Sequence, residues 1–272
     1  MAEVETDFLP YGRQAVDEDD IRRVCRVLRS DFLTTGPGIE AFEKKMADFC
    51  GTAHAVAVNS GTAALHCAMA AAGIQAADEV IVPPMTFAAT ANSVVYQGGT
   101  PVFADVCRDT LLLDPDAVEK RITPQTRAVV AVDYAGQMCD YDRLRELARR
   151  HGLVLISDAC HALGADLNGR MAGQCADMTV FSFHPVKHIT TGEGGMVVTD
   201  DRGFAETMRR FRNHGISMDA GRRHEEQDWF YEISQPGFNY RITDFQCALG
   251  GSQLEKLPGW IDRRRRLAGQ YN

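Results

Sequence analysis

From residue 54 to residue 200 the chain alternates short apolar, often β-branched runs with segments of helical period. Strand-like runs at 55–58, 80–82, 102–104, 128–132 and 154–157 are separated by helix-like stretches at 62–72, 88–97, 115–121 and 141–151. Continuous short apolar runs fit strands buried on both faces. Parallel strands need a crossover of a dozen or more residues, which the intervening helices supply. The alternation therefore predicts an α/β fold around a largely parallel sheet. Two further helices are expected ahead of it, over 17–30 and over 39–50, the second stopped by Gly51.

The rhythm changes near residue 178. Strands over 178–183 and 195–199 have only a loop between them. A helix over 204–213 follows, then a polar stretch over 215–235 that reads as an exposed loop. A last clear helix is expected over 243–257, with Pro258 just beyond it. Residues 260–272 again carry a helical pattern, which leads us to expect further chain downstream.

Composition narrows the function. The 272 residues carry 29 Lys+Arg against 37 Asp+Glu, a net charge of −8, which argues against a nucleic-acid or polybasic membrane-binding surface. No apolar run approaches the roughly 20 residues of a membrane helix, and the first residues do not form a secretory signal. The eight cysteines are scattered without a C-x-x-C pair and read as reduced thiols of a cytoplasmic protein. The adjacent Cys160 and His161 have the wrong spacing for structural zinc, and no metal is expected. No G-x-G-x-x-G occurs, so the dinucleotide-binding fingerprint is missing. Arg263 to Arg266 read as a solvated helix face.

Three segments carry chemistry. Asn59-Ser60-Gly61-Thr62 lies between a strand and a helix, where free N–H groups favour a phosphate; an ordinary capped turn is the plainer reading. Asp158 closes a strand, and ligands of open α/β sheets bind beyond the carboxyl ends of strands; capping of the next segment is the alternative. Phe181-Ser182-Phe183-His184-Pro185-Val186-Lys187 presents a lysine on a structured turn, ahead of the glycine-rich Gly192-Glu193-Gly194-Gly195. A lysine in apolar surroundings is suited to imine formation. Together these are the parts pyridoxal phosphate requires. Ser60, Gly61, Thr62 and Ser182 form a phosphate cup, Lys187 the imine, Asp158 the partner of the pyridine nitrogen, and Phe87 a ring to stack on.

These segments, with Thr86-Phe87, Ser157-Asp158-Ala159 and Gly237-Phe238-Asn239-Tyr240-Arg241, resemble the DegT/StrS family of sugar aminotransferases in order along nearly the whole chain. The resemblance implies a fold type I, aspartate-aminotransferase-like architecture. That architecture has a mostly parallel seven-stranded sheet flanked by helices, and it works as a homodimer with shared active sites. It further implies a large cofactor-binding domain over 1–240, and in 241–272 the start of a connection to a small C-terminal domain that the chain lacks. The wording from Phe183 through Lys187 and His188 to Gly195, with Asp133-Tyr134-Ala135-Gly136-Gln137 and Asp31-Phe32-Leu33-Thr34-Thr35-Gly36-Pro37, resembles the transaminases of pseudaminic acid biosynthesis. It implies a UDP-linked 4-keto-6-deoxy-N-acetyl sugar as acceptor and L-glutamate as donor.

By the same resemblance, Lys187 holds the cofactor and shuttles the proton. His161 lies near the ring oxygen, and Asn239 reaches the phosphate from the partner subunit. Tyr11, Asp31, Phe32, Leu33 and Thr34 contact the nucleotide-sugar. Related sugar dehydratases carry a histidine where this chain has Lys187, so transamination is the expected reaction. Alternatives are a sister enzyme for another keto-sugar or position, and an inactive cofactor-binding fragment.

Overall fold

The computed structural model describes residues 10, 12–216 and 232–271. Its seven-stranded sheet has the order β1-β9-β8-β5-β4-β2-β3. The strands are β1 (His54–Val58), β2 (Glu79–Val82), β3 (Thr100–Phe103), β4 (Thr126–Val132), β5 (Val154–Asp158), β8 (Met178–Ser182) and β9 (Gly195–Thr199). Strands β8, β5, β4, β2 and β3 run parallel. Strand β9 alone is reversed, antiparallel to both β1 and β8. This reversal is the change of rhythm near residue 178. A loop suffices to return β8 into β9, whereas the parallel steps need longer crossovers, supplied by helices except between β5 and β8, where residues 159–177 make the crossing without one.

Helices cover both faces: α1 (Glu18–Leu28), α2 (Pro37–Cys50), α3 (Gly61–Ala71), α4 (Ala88–Tyr96), α5 (Pro115–Glu119), α6 (Tyr141–His151), α7 (Arg202–Phe211) and α8 (Asp244–Tyr271). Alternate strand residues feed two separate cores. Ala55, Ala57, Val129 and Ala131 pack with Phe42, Leu144 and Leu254. Val56, Val58, Ala128 and Val130 pack with Leu65, Val94 and Met208. The period of two is what a strand buried on both faces requires.

Two local expectations need correction. Helix α8 does not stop before Pro258 but continues through it to Tyr271. Proline removes one helical hydrogen bond and costs about 3 kcal/mol in a helix interior. Here Leu254 and Leu257 before it, and Trp260 and Ile261 after it, pack on one core. At roughly 1.5–3 kcal/mol per buried side chain, that burial outweighs the break. The second correction is a small hairpin, β6 (Asp166–Leu167) and β7 (Arg170–Met171), where no strands are expected. Asn168 and Gly169 both take positive φ, 54° and 78°, as a tight two-residue turn requires. Most of the polar stretch expected as a loop, residues 217–231, lies outside the described residues, as does Tyr11.

Helix α8 ties the N-terminal helices to the sheet. Buried Asp244 accepts from the N–H groups of Gly36 (2.9 Å) and Gly38 (2.8 Å), capping α2 from a distance. Glu255 pairs with Arg23 and Lys45, whose hydrogen bonds hold its carboxyl down to about 2. Lys256 pairs with Asp17 and Asp20. All eight cysteines are free, five of them buried.

Candidate active site

The carboxyl ends of β1, β8, β5, β4, β2 and β3 share one edge of the sheet, and the turns leaving them carry the predicted residues.

Strand β1 turns into α3 at Ser60, whose Oγ accepts from the Ala63 N–H at 3.0 Å. The capping reading thus holds for the Ser60 side chain. The Gly61 and Thr62 N–H groups, first in the helix, have no acceptor among the described residues. Across from them is the end of β8. A Cβ on Gly61 would lie 2.9 Å from Ser182 Cβ, 3.1 Å from Ser182 Oγ and 3.6 Å from Cys160 Sγ. A Cβ on Gly195 would lie 2.3 Å from the Ser60 carbonyl oxygen. These glycines let the α3 N-terminus, Ser182 and the start of β9 close into one cup.

Beyond Ser182 the chain turns on the Lys187 N–H to His184 carbonyl bond (2.8 Å) and presents Lys187, half-buried and with no ion pair among the described residues. Asp158, at the end of β5, is buried and has no cation partner among the described residues. Its Oδ2 accepts from Thr90 Oγ1 at 2.7 Å, and its Oδ1 from the Cys160 N–H at 3.3 Å. Thr90 Oγ1 in turn lies 2.7 Å from Thr86 Oγ1. His161 shares this space. Burial pulls its pKa down first and the Lys187 charge next, against the opposite pull of Asp158. Burial likewise pushes the Cys160 thiol well up, and the Asp158 charge adds to it. Phe87, at the start of α4, is 76% exposed, a large aromatic face left open next to Thr86 and Thr90.

The fold therefore brings Ser60, Gly61, Thr62, Ser182, Lys187, Asp158, His161 and Phe87 to one edge. Asn239 lies beside the cup, its carbonyl accepting from Asn59 Nδ2 at 3.4 Å. Its residue is exposed. Asp31 to Thr34 form an exposed loop between α1 and α2 that makes no hydrogen bond or bridge to these residues. The loop meets the start of α8 through the Asp244 N–H to Leu33 carbonyl bond (3.0 Å) and the Thr34–Thr243 bridge. The start of α8 also reaches the lysine loop, where Gln246 Nε2 donates to the Glu193 carbonyl at 2.8 Å. Sequence reasoning missed Thr90 as the donor to Asp158. The one available signal was a threonine one turn past Phe87, at the start of the helix that leaves the Thr86-Phe87 segment.

Residues 14–272 match the DegT/DnrJ/EryC1/StrS aminotransferase family. The chain is 43% identical over 272 residues to the spore coat polysaccharide biosynthesis protein SpsC of Bacillus subtilis, covering 100% of this chain and 70% of that protein. It superposes on Spr1654 of Streptococcus pneumoniae, in its PLP form, with a TM-score of 0.89 at 32% identity, covering 97% of this chain and 70% of that one. It superposes on Helicobacter pylori PseC, an aminotransferase involved in the biosynthesis of pseudaminic acid, with a TM-score of 0.84 at 37% identity, covering 92% and 66% of the two chains.

Proposed function

Since this chain belongs to the DegT/DnrJ/EryC1/StrS aminotransferase family, we propose that it transfers an amino group from L-glutamate to C4 of a UDP-linked 4-keto-6-deoxy-N-acetyl sugar in pseudaminic acid biosynthesis. It is a sugar aminotransferase by family, and pyridoxal phosphate is its cofactor. The residues present fit that group. The cup at Gly61 is a space that a single Cβ would fill, and unpartnered N–H groups line it. A buried carboxyl, and a lysine amine with no ion pair among the described residues, lie beyond it.

Bound there, pyridoxal phosphate supplies a protonated ring that withdraws electrons from the carbon bearing the transferred nitrogen. In our reading the chain's own residues do the rest. The Gly61 and Thr62 N–H groups and the Ser182 hydroxyl bind the phosphate. Asp158, oriented by Thr90, holds the proton on the ring nitrogen. Phe87 covers one ring face and excludes water. The Lys187 amine anchors the cofactor and then, freed, carries a proton between the cofactor's C4′ carbon and the substrate carbon. His161 sits by the ring oxygen. The observation that carries this reading is the convergence of Lys187, Asp158 and the Gly61–Ser182 cup on one sheet edge.

The choice of sugar rests on the resemblance of residues 183–195 and 133–137 to the pseudaminic acid transaminases and on the likeness to PseC. The higher identity to SpsC favours a second reading, a sister enzyme for another nucleotide-linked keto-sugar. We further propose a cytoplasmic homodimer in which Asn239 reaches the phosphate of the partner's site and Tyr11 and Asp31 to Thr34 contact the nucleotide-sugar. The free thiols and the exposed Tyr96 and Phe238 support it. The test is to offer the holoenzyme and L-glutamate a panel of nucleotide-linked 3- and 4-keto sugars and identify the amino sugar by mass and NMR. Amination at C4 of the UDP-linked N-acetyl sugar is the expected result. Turnover of another keto-sugar alone selects the second reading.

A further inference from the structure

Behind Asp158, on the strand next to its own, lies a second carboxyl that the reading above does not use. Asp133 follows β4, and its N–H donates to the Asp158 carbonyl at 3.0 Å. Its side chain is 1% exposed, as is Tyr141, and Ser157 is 2% exposed. No cation lies within ion-pair distance of Asp133 among the described residues. An ionised carboxylate so placed pays a heavy desolvation cost.

The contacts themselves count protons. Tyr141 Oη lies 2.9 Å from Asp133 Oδ1 and 2.6 Å from Ser157 Oγ, and Ser157 Oγ lies 3.1 Å from Asp133 Oδ2. The Cys139 N–H donates to Oδ1 as well, at 3.0 Å. These are three oxygen–oxygen contacts of hydrogen-bond length closing a ring, and the two hydroxyls bring only two protons to it. A third proton, on the carboxyl, satisfies every contact with one donor each, in a ring whose members polarise one another. The groups facing Asp133 agree. They are the Tyr141, Cys139 and Cys175 side chains, all neutral in the ordinary range, and the Asp158 carboxylate. Burial, helped by the Asp158 charge, pushes the Asp133 carboxyl up to about 6.

We propose that Asp133 is a positioning residue for Asp158: a carboxyl that holds its proton in mildly acidic solution, there locks the end of β5 through the Tyr141–Ser157 ring, and leaves Asp158 the one negative charge beneath the cofactor's ring nitrogen. The inference rests on the reading that Asp158 faces that nitrogen. An ionised Asp133 would add a second negative charge behind Asp158 and favour protonation of Asp158, which a ring-nitrogen partner must avoid.

The experiment combines infrared difference spectra with cofactor binding in the holoenzyme. The expected result is the carbonyl band of a protonated, buried carboxyl at about pH 5 that fades as pH rises through about 6, and is absent in Asp133→Asn. The asparagine keeps an acceptor and a donor in the ring, so its affinity for pyridoxal phosphate stays within about threefold. Asp133→Ala leaves the ring open and loses about tenfold or more. With ¹⁵N-labelled cofactor, the pyridine nitrogen resonance stays in its protonated position in Asp133→Asn and shifts in Asp133→Ala. Should the alanine variant not fold, Tyr141→Phe replaces it: the carboxyl loses one partner and its band moves. Absence of a protonated-carboxyl band in the wild type overturns the proposal, as does an unmoved band in Tyr141→Phe or wild-type nitrogen shift and affinity in Asp133→Ala. Asp158→Asn is the separate control: an unchanged ¹⁵N shift there removes the underlying reading, whatever Asp133 does.

Discussion

Thr90 Oγ1 donates to Asp158 Oδ2 at 2.7 Å, linking the first turn of α4 to the end of β5 across 68 residues of sequence. Both residues are buried, so neither has water as an alternative partner. Thr90→Val keeps the shape and removes the donor. An unsatisfied buried carboxylate oxygen costs about 1–3 kcal/mol. The variant should bind pyridoxal phosphate about tenfold more weakly or worse, measured by titrating apoprotein with cofactor, while Thr90→Ser retains most of the affinity.

Gly61 and Gly195 meet different obstacles. A Cβ on Gly61 collides with the Ser182 side chain, whereas one on Gly195 collides with the Ser60 backbone at 2.3 Å. Gly61→Ala should lose about 1 kcal/mol of stability, because Ser182 Cβ at 2.9 Å moves only with its strand, and should lose cofactor phosphate affinity as well. Gly195→Ala should lose about 1–3 kcal/mol of stability or more, because the backbone of two elements has to shift. Thermal melts of the two apoproteins, with cofactor titration of the first, separate these outcomes.

Stability against pH should show two opposed contributions. The folded Asp133 carboxyl is raised to about 6 from 3.8, so its stabilisation is present at low pH and fades as pH rises through that window. The folded His188 imidazole is lowered from 6.5 to about 4, mainly by burial and then by Arg264, His161 and Lys187, so its contribution is lost as pH falls. Between about pH 6 and pH 4 the two slopes oppose. Asp133→Asn removes the first and should lose stability more steeply on acidification than the wild type, by about 1.4 kcal/mol per pH unit at most. Urea unfolding across this range measures it.

Asp244 holds the loop from Asp31 to Thr34 by capping Gly36 and Gly38 and by its own N–H to Leu33. Asp244→Ala should cost about 1–3 kcal/mol in urea unfolding. If that loop contacts the nucleotide-sugar, the variant raises KM for the sugar more than for the amino donor. Equal changes in both count against the loop's role.

How far the sequence could be read follows from how local each signal was. Lys187, Asp158 and Gly61 sit where strands end, and a strand end is visible in the residue pattern. The donors that orient them were not visible, because Thr90 and Asp158, or Tyr141 and Ser157, meet only once the sheet is assembled. Pro258 misled for the same reason: the local rule ends a helix there, and packing of Trp260 and Ile261 on the core overrides it. The hairpin at Asn168-Gly169 is different, since an Asn-Gly turn signal was present but flanked by strands of only two residues.

The most direct test of the account is the absorbance of the purified chain reconstituted with pyridoxal phosphate, taken for wild type and Lys187→Ala, before and after L-glutamate. The account predicts the visible band of lysine-linked cofactor in the wild type, its conversion by L-glutamate to the pyridoxamine form, and no such band in Lys187→Ala. A wild-type chain without the band, or an unchanged band in Lys187→Ala, contradicts it.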